Sequence, residues 1–392
     1  MPAHAYNECF KICAYHLQNV LKQERHMKTL EEARANIDAI DAQMAQLFEA
    51  RMREVEAVAL YKQATGLPIE DKAREASAQT AHAQEVTDPA IRAYYTDMHR
   101  NLVEISKAYQ RQLLQGMRIA YSGVEGAFAN IAARRIFPEE QIVGFLNFQE
   151  AYDAVVQGDC DCAVLPIENS YAGEVSQVVD LMFDGPLQVN GVYTLRILQN
   201  LLGLPGATVH DVHKVISHPQ ALAQCMPYIK EHGFVTEDAV NTARAAAAVA
   251  AASDKSVAAI ASAETSDLYG LEVIERAINK SLLNTTRFAV FSRCENTSRA
   301  RTNSTFMMLF AVNNETGALA NAINVIARHG FNMTSLRSHP LKNKPWQYYF
   351  YVEAEGDESS EEGKRMISEL QEHCSQIKVV GHYNAEVALE EA

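Results

Sequence analysis

The sequence lacks any apolar segment of roughly 20 residues, the length that a membrane-spanning helix requires. Its first stretch, MPAHAYNECFKICAYHLQNV, is polar throughout and contains no apolar block typical of a signal peptide. Basic residues are outnumbered by acidic ones, 35 Lys and Arg against 49 Asp and Glu, which gives a net charge of −14. This charge disfavours nucleic acid as a partner. We therefore expect a cytoplasmic protein without a membrane or nucleic-acid partner.

Cysteine is scarce, with seven in 392 residues, and an odd number in a long chain fits a reducing compartment. The pair Cys160 and Cys162 has no second ligand pair at zinc spacing. His210, His213 and His218 do not have the i, i+4 spacing of zinc-binding histidines on a helix. No strand–GxGxxG–helix unit is present either, so we expect neither a metal nor a dinucleotide cofactor.

The chain is too long for one ordinary core, so two or three domains are expected. The sequence pattern divides it into an extension over residues 1–26, a helical domain over 27–116, an α/β domain over 117–296 and a C-terminal module over 303–385. The extension precedes the first helix-start signal. We expect it to be disordered, or to reflect a start codon placed upstream of Met27.

The helical domain begins with a capping box, Thr29-Leu-Glu-Glu32. Apolar residues then recur at spacings of three and four, and no Gly or Pro interrupts them before Gly66. The pattern predicts a helix of about 35 residues, about 50 Å long, whose apolar stripe must pack on other helices or on another chain. Pro68 is expected in the first turn of a second helix, and a third helix is expected over about residues 89–116.

Polar residues on the first helix have spacings that suit a small anion. Arg51 and Lys62 are 11 residues apart, which places them about 20° apart around the helix and about 16 Å apart along it. Arg34 lies about 25 Å from Arg51 along the axis. It does not reach the same ligand from the same helix unless the chain bends, and a dimer with antiparallel long helices is the alternative that supplies it from the other subunit.

The second helix has Asp71, Arg74 and Glu75 on one face, and the third has Ser106 and Gln110 on one face. A solvated surface of salt bridges is the competing interpretation of each group taken singly. Taken together with the cations of the first helix, these positions resemble, in order and nearly in spacing, the active site of the all-helical chorismate mutases.

The resemblance implies an intertwined homodimer, or a higher homo-oligomer, that rearranges chorismate to prephenate. This Claisen rearrangement needs no nucleophile, metal or cofactor, only a site that holds the reactive conformer and stabilises charge on the ether oxygen. The groups that the resemblance assigns to the substrate are Arg34 of the partner subunit and Arg51 for the carboxylates, Lys62 and Gln110 for the ether oxygen, and Glu75 with the backbone near Asp71 for the ring hydroxyl.

The α/β domain alternates strand-like segments (118–122, 162–170, 212–222, 257–262 and 287–293) with helical ones. This alternation predicts an open, largely parallel sheet whose ligands bind beyond the carboxyl ends of the strands. Candidate polar residues at those ends are Glu168, Asn169, Ser170, Ser217 and His218. Ordinary turn chemistry is the alternative for most of them.

The motifs GVEGAF, PIENS, SHPQAL, YGL and TTRF resemble prephenate dehydratase over about residues 117–294. The resemblance implies two lobes, like those of a type 2 periplasmic binding protein, that close on prephenate and release CO2 and hydroxide without a cofactor. It identifies Thr286 as the essential threonine, which we expect to hydrogen-bond to the leaving hydroxyl. Arg287 is then expected to pair with a substrate carboxylate, and Phe288 to pack beside the ring. Glu168 is a candidate proton source. Asn169 and Ser170 are the expected polar contacts.

The C-terminal module reads as β-α-β-β-α-β, a ferredoxin-like order, with Thr316 expected to cap its first helix. GALANAINVI, with RSHP and KPW further on, resembles the ACT domain that senses L-phenylalanine. The implied effector residues are Gly317, Ala318, Leu319, Arg337, Ser338, His339 and Pro340. The family's usual Glu-Ser-Arg-Pro is Arg-Ser-His-Pro here, which leaves the sensitivity to phenylalanine open.

The sequence therefore predicts a bifunctional chorismate mutase–prephenate dehydratase with an ACT domain. Two other readings stay open. A non-catalytic sensor of aromatic acids built on the same domains would not need Thr286 or Lys62. A mutase joined to a prephenate dehydrogenase would need a dinucleotide motif, which is missing from the sequence.

Overall fold

The computed structural model describes residues 28–279, 283–296, 304–342 and 344–390. These residues form two compact units, one ending at Gly116 and the other beginning at Met117. The extension predicted over residues 1–26 lies outside the described residues. Among the described helices, none combines the length and the apolar character that crossing a membrane requires.

The first unit contains three described helices: α1 (Leu30–Thr65), α2 (Lys72–Glu85) and α3 (Arg92–Gln115). The predicted capping box starts α1, since the backbone N of Glu32 donates to Thr29 Oγ1 at 3.1 Å and the backbone N of Thr29 donates to Glu32 at 2.8 Å. Gly66 ends the helix in the left-handed region, with φ of 70°. The length and both ends predicted for this helix are confirmed.

The prediction that Pro68 lies in the first turn of α2 was wrong. The N-cap of α2 is Asp71, whose carboxylate accepts a hydrogen bond from the backbone N of Arg74 at 3.0 Å. Because this carboxylate satisfies a free N–H at the helix end, the helix begins at Lys72, four residues later than the proline alone suggests.

The apolar stripe of α1 stays exposed in the single chain. Its large side chains are 47% to 70% exposed at the positions Leu30, Ile37, Ile40, Met44 and Leu47. An apolar stripe of this length is not left in water by a stable soluble protein. The stripe is therefore a surface that another helix must cover.

The second unit contains two sheets. The strands of sheet 1, in spatial order, are β13 (Asn332–Pro340), β14 (Tyr348–Glu355), β12 (Thr305–Val312), β15 (Cys374–Tyr383), β5 (Gln188–Arg196), β11 (Thr285–Ser292), β3 (Cys162–Asn169), β1 (Arg118–Ser122) and β2 (Gln141–Phe145), with β4 (Gly173–Glu174) beside β3 and β16 (Val387–Leu389) beside β5. Sheet 2 has the order β10 (Glu272–Glu275), β6 (Asn200–Gly203), β9 (Val257–Ala261), β7 (Lys214–Ser217) and β8 (Val235–Asp238).

Both sheets are mixed, which corrects the expectation of one largely parallel sheet. In sheet 1, β11 runs antiparallel to both β3 and β5, and in sheet 2, β6 runs antiparallel to β9 and β10. The sequence pattern missed this because a fully buried strand has the same apolar run in either direction. The segment 212–222 was also read as one strand, whereas β7 ends at Ser217 and a helix follows it.

Helices cover the sheets as layers. Those of the second unit are α4 (Phe128–Ile136), α5 (Phe148–Gln157), α6 (Ser176–Asp184), α7 (Pro219–Gln224), α8 (Met226–His232), α9 (Thr242–Ala252), α10 (Glu264–Tyr269), α11 (Ala318–Arg328) and α12 (Glu361–His373). On sheet 1, α5 and α6 pack on the face that carries Phe291, and α4 packs on the face that carries Phe288. On sheet 2, α9 supplies a flat alanine surface through Ala245 and Ala246.

The last part of the chain has the predicted order β12-α11-β13-β14-α12-β15. Its first helix is not capped by Thr316 as expected, because Gly317, with φ of 82°, is the N-cap and provides no side chain. The module's sheet continues into sheet 1, since Gly381 of β15 pairs with Val189 of β5 and β16 then pairs along the same strand.

Glycine is required where the two parts of sheet 1 join. Gly381 has φ of 138°, and a Cβ there would lie 2.7 Å from the backbone N of Val189 and closer still to its O. Both the backbone conformation and the close approach exclude a side chain.

We expect Gly381→Ala to destabilise the second unit more than Gly233→Ala. Gly233 has a comparable positive φ of 68°, but a Cβ there meets nothing within 4 Å, so its substitution costs only the left-handed penalty of about 1 kcal/mol. Thermal unfolding of the two variants compares them, and the larger drop in Tm belongs to Gly381→Ala. Equal drops would show that the strand junction adapts.

Candidate active sites

A cavity of about 330 Å3 lies among the three helices of the first unit. Its walls include seven of the eight residues that the resemblance to chorismate mutases implies: Arg51, Lys62, Asp71, Arg74, Glu75, Ser106 and Gln110. The eighth, Arg34, is exposed on α1 and is not among the residues that line the cavity of its own chain. Arg34 is therefore separate from the other seven predicted residues in the single chain.

The two cations of α1 are fixed by neighbouring groups. Arg51 donates from Nη1 to Ser106 Oγ at 2.5 Å, and Lys62 donates from Nζ to the backbone O of Ile69 at 2.5 Å. Burial lowers the pKa of Arg51 from its ordinary range, but guanidinium stays protonated at neutral pH. The cavity therefore presents two positioned cations on one wall.

The carboxylate of Glu75 is held on both sides. Its Oε1 accepts a hydrogen bond of 3.4 Å from the backbone N of Asp71, and its Oε2 lies 3.2 Å from Lys107 Nζ. Asp71 itself is occupied in capping α2. Glu75 is thus a positioned acidic acceptor in the cavity wall.

The sequence analysis missed Lys107, which is only 8% exposed. Its ammonium pairs with Glu104 at 2.7 Å as well as with Glu75. The hydrogen bond with Glu104, helped by that with Glu75, raises the pKa of Lys107 against the opposing effect of burial. From the sequence, Glu104 and Lys107 look like an ordinary i, i+3 surface pair, so only the packing of α3 on α2 reveals the contact.

Gln110 and His99 complete the cavity wall. Gln110 is 6% exposed, and its Oε1 has no hydrogen-bond partner among the residues that the structure describes. Burial, followed by the charges of His82 and Arg51, lowers the pKa of His99, so its imidazole is neutral near pH 7. A buried amide without a partner is a group that a ligand can satisfy.

In the second unit, the pairing of β3 with β11 brings two predicted groups together. Asn169 lies opposite Thr286, and Glu168 lies opposite Arg287. Since successive side chains of a strand point to opposite faces, Asn169 and Thr286 share one face and Glu168 and Arg287 share the other.

Hydrogen bonds fix the amide of Asn169. Its Oδ1 accepts from the backbone N of Tyr171 at 3.1 Å and of Ala172 at 2.9 Å, so its Nδ2 is the donor that faces β11. This Nδ2 lies 2.9 Å from Thr286 Oγ1 and 2.8 Å from Asn284 Oδ1. Because Thr286 Oγ1 accepts from Asn169, the hydroxyl proton of Thr286 is left to donate elsewhere.

Ser170 ties the two strand ends together. Its Oγ accepts from the backbone N of Thr285 at 3.0 Å and donates to the backbone O of Leu283 at 3.2 Å. Asn284 is 3% exposed, and its Nδ2 has no hydrogen-bond partner among the described residues. The sequence analysis did not include Asn284 among the candidate site residues.

Arg287 and Glu168 face away from Thr286, which corrects both of their predicted roles. Arg287 donates to both carboxylate oxygens of Glu353 at 2.8 Å and to Glu168 at 3.0 Å. Although burial opposes it, the hydrogen bond to Glu353 raises the pKa of Arg287. Glu168 also pairs with Arg337. In this structure Glu168 and Arg287 pair with each other and with Glu353 or Arg337, on the face of the strand pair opposite Thr286.

Three other candidates have structural roles in this conformation. Ser217 is fully buried and donates to the backbone O of Ile260 at 2.5 Å, so it is not a substrate contact. His218 Nδ1 accepts from the backbone N of Gln220 at 3.3 Å and caps α7. Phe288 is 1% exposed in the core beneath α4, so it does not line a cleft.

The effector residues predicted in the C-terminal module fall into two groups. Gly317 is exposed at the start of α11, with Ala318 and Leu319 partly exposed behind it. On β13, Ser338 and Pro340 are exposed, but His339 lies 2.9 Å from Glu174 and Arg337 pairs with Glu168. Arg337 and His339 are therefore engaged with the lobe that carries Thr286, and their assignment to effector binding is corrected.

Burial also decides the state of the two cysteines considered as metal ligands. It raises the pKa of Cys160 to about 11 and that of Cys162 to about 12. Zinc binds the thiolate, and both groups are neutral thiols near pH 7.

Two family models match the chain, one in each unit. Chorismate mutase type II matches residues 33–111, and prephenate dehydratase matches residues 119–296. A bifunctional chorismate mutase/prephenate dehydratase of Enterobacter agglomerans is 32% identical over 90% of this chain and 95% of its own length. This chain belongs to the bifunctional chorismate mutase/prephenate dehydratases.

Solved structures resemble a large part of this mutase–dehydratase. GqqA, described as a novel type of quorum quenching acylase, is 33% identical with a TM-score of 0.64, covering 69% of this chain and 98% of its own. A prephenate dehydratase of Arthrobacter aurescens, solved in complex with L-Phe, is 21% identical with a TM-score of 0.63, covering 70% of this chain and 93% of its own. The latter likeness shows the fold alone.

We expect Lys107→Met to lower mutase kcat/KM by about tenfold, because it frees Glu75 and leaves a carboxylate without its cation. The matched control is Arg100→Met on the same helix, whose ion pair with Asp97 is exposed on both sides and adds little. Chorismate consumption measures both variants. A Lys107→Met enzyme as fast as Arg100→Met would contradict a role for Lys107.

We expect Asn169→Asp to lower prephenate turnover by about a hundredfold or more. An ionised Asp only accepts hydrogen bonds, so the Thr286 hydroxyl would turn its proton toward residue 169. The control is Asn190→Asp on β5, since Asn190 Nδ2 bonds Ser292 and the backbone O of Cys294 rather than Thr286. Turnover that survives in Asn169→Asp would refute the assigned hydrogen-bond direction.

Proposed function

We propose that this enzyme converts chorismate to prephenate in its helical unit and prephenate to phenylpyruvate in its second unit. Phenylalanine synthesis uses these two steps in succession, and neither needs a cofactor. The observation that carries the proposal is the convergence of seven predicted residues from three helices on one cavity. In this proposal, Arg51 binds a carboxylate of the dianion, while Lys62 and Gln110 face its reacting centre.

The proposed mutase chemistry is electrostatic placement. Arg51 binds a substrate carboxylate, and Lys62 and Gln110 donate to the ether oxygen as negative charge grows on it during bond cleavage. Glu75 and the backbone N of Asp71, which are already 3.4 Å apart, bind the ring hydroxyl. The donor of Gln110 is its Nε2, because an amide oxygen only accepts hydrogen bonds.

We also infer that the mutase is completed by a second copy of the chain. The exposed apolar stripe of α1 needs a cover, and Arg34 lies on the same helix outside its own cavity. Antiparallel pairing of two α1 helices covers the stripe and brings Arg34 of the partner subunit to the cavity. Its role is to bind the remaining carboxylate.

In the proposed dehydratase step, prephenate loses CO2 and its ring hydroxyl together, and aromatisation supplies the driving force. The departing hydroxide must take up a proton to become water. An aliphatic alcohol is a poor acid near neutral pH, so Thr286 serves as an oriented hydrogen-bond donor that relays a proton from solvent. Asn169 supports this role because its Nδ2 donates to Thr286 Oγ1, so that the hydroxyl proton of Thr286 is left to donate to the substrate.

We propose that residues 304–383 form a ferredoxin-like ACT domain that binds L-phenylalanine and inhibits the dehydratase. The element order supports the domain type, and the Arthrobacter structure was solved with that amino acid. Gly317, Ala318, Leu319 and Ser338 are the effector residues that remain available. A truncation near residue 300 is a poor test, because it would strip Glu353 from the buried Arg287.

The direct test supplies chorismate alone to the intact enzyme and follows prephenate and phenylpyruvate. We expect phenylpyruvate from the wild type, because both steps are present on one chain. Thr286→Ala should accumulate prephenate while still binding it, and Lys62→Met should leave chorismate unused but still convert supplied prephenate.

Each outcome has a distinct meaning. Prephenate that accumulates in the wild type would remove the dehydratase assignment, and no conversion of either substrate would favour a sensor. Near-normal turnover in Thr286→Ala would refute the role of its hydroxyl.

A further inference from the structure

A partly buried charge network lies on the face of sheet 1 opposite Thr286. Arg287 is at its centre, bound to Glu353, to Glu168 and, at 3.1 Å, to Tyr383 Oη. Glu353 is 3% exposed and also accepts from the hydroxyl of Tyr351 at 2.6 Å and from that of Tyr383 at 2.7 Å. Each oxygen of this carboxylate thus accepts two hydrogen bonds, which fix its position.

The network joins two parts of the chain with different proposed tasks. Arg287 and Glu168 belong to the dehydratase strands β11 and β3, whereas Glu353 and Tyr383 belong to the C-terminal module. Arg337 of β13 adds a second link from the module, because it pairs with Glu168. The C-terminal module therefore contacts both β3 and β11 on the face opposite Thr286.

This network is adjacent in sequence to Asn169 and Thr286. Glu168 precedes Asn169 on β3, and Arg287 follows Thr286 on β11. The two pairs are neighbouring rungs of the same ladder. A shift of Glu168 or Arg287 must move the peptide that carries Asn169 or Thr286, because a strand backbone transmits such displacements directly.

The network also explains the departure of this sequence from Glu-Ser-Arg-Pro. The base at 337 faces the acid Glu168, and His339 faces the acid Glu174 at 2.9 Å while stacking on Tyr349. Glu168 and Glu174 are themselves paired across β3 and β4. An acid at 337 would meet two carboxylates, so the charge of this position is matched to the dehydratase lobe.

We propose that Arg337 and Arg287 are positioning residues of the dehydratase, through which the C-terminal module sets the alignment of Asn169 and Thr286. Arg337 acts through Glu168, and Arg287 acts through both Glu168 and Glu353. The inference rests on the proposed dehydratase function. It assigns residue 337 to catalytic alignment in place of effector binding.

The test compares prephenate turnover by Arg337→Gln with that by Lys342→Gln. Lys342 is a matched control, since it also links the module to the dehydratase lobe, pairing with Asp180 at 2.7 Å, but it does not touch the network. We expect Arg337→Gln to lower kcat about tenfold with KM within about twofold, and Arg337→Lys to recover part of kcat because it restores the charge. Lys342→Gln should stay within about twofold of the wild type.

Mutase turnover, measured on the same samples, reports enzyme concentration and folding of the helical unit, and the Tm reports the second unit. Equal losses in Arg337→Gln and Lys342→Gln would show general loosening of the module and overturn the inference. So would an unchanged kcat in Arg337→Gln, or an effect confined to KM. A wild type without dehydratase activity would instead refute the proposed function.

Discussion

The antiparallel pairing of β3 with β11 is the constraint on which the second unit depends. One register places Asn169 opposite Thr286 and Glu168 opposite Arg287, and the pleat sends the two pairs to opposite faces. A slip by one residue would exchange the faces and turn the buried arginine toward the substrate. The same register therefore forms the hydrogen-bond donor of the proposed reaction and the ion pairs that hold it.

The two units use different kinds of side chains to position their proposed substrates. The helical cavity places cations and a neutral amide where the proposed dianion binds, and two of its charged groups are already held by neighbours, as Glu75 is by Lys107 and Arg51 is by Ser106. In the second unit, amides and a hydroxyl lie near the proposed reacting centre. The ion pairs of Arg287 lie on the opposite face of the strand. In both, the catalytic work is positioning, because neither proposed reaction needs a covalent intermediate.

The sequence predicted best what local chemistry determines. Capping at Thr29, the stop at Gly66 and the polar spacing from Arg51 to Gln110 are local signals, and the structure places them as expected. It predicted poorly what depends on distant contacts. Polarity alone could not tell that Arg287 turns from the cleft toward Glu353, or that Lys107 is buried against Glu75. The sequence also failed to predict strand direction, because a fully buried strand lacks the alternation of apolar and polar residues that is typical of antiparallel strands.

The most direct test of this account is a double-mutant cycle on prephenate turnover with Asn169→Ala, Thr286→Val and the double variant. If the amide acts only by orienting the hydroxyl, the double variant should lose no more than about threefold beyond Thr286→Val alone. Losses that multiply, with each substitution costing as much in the variant as in the wild type, would show that the two side chains act independently and contradict the account.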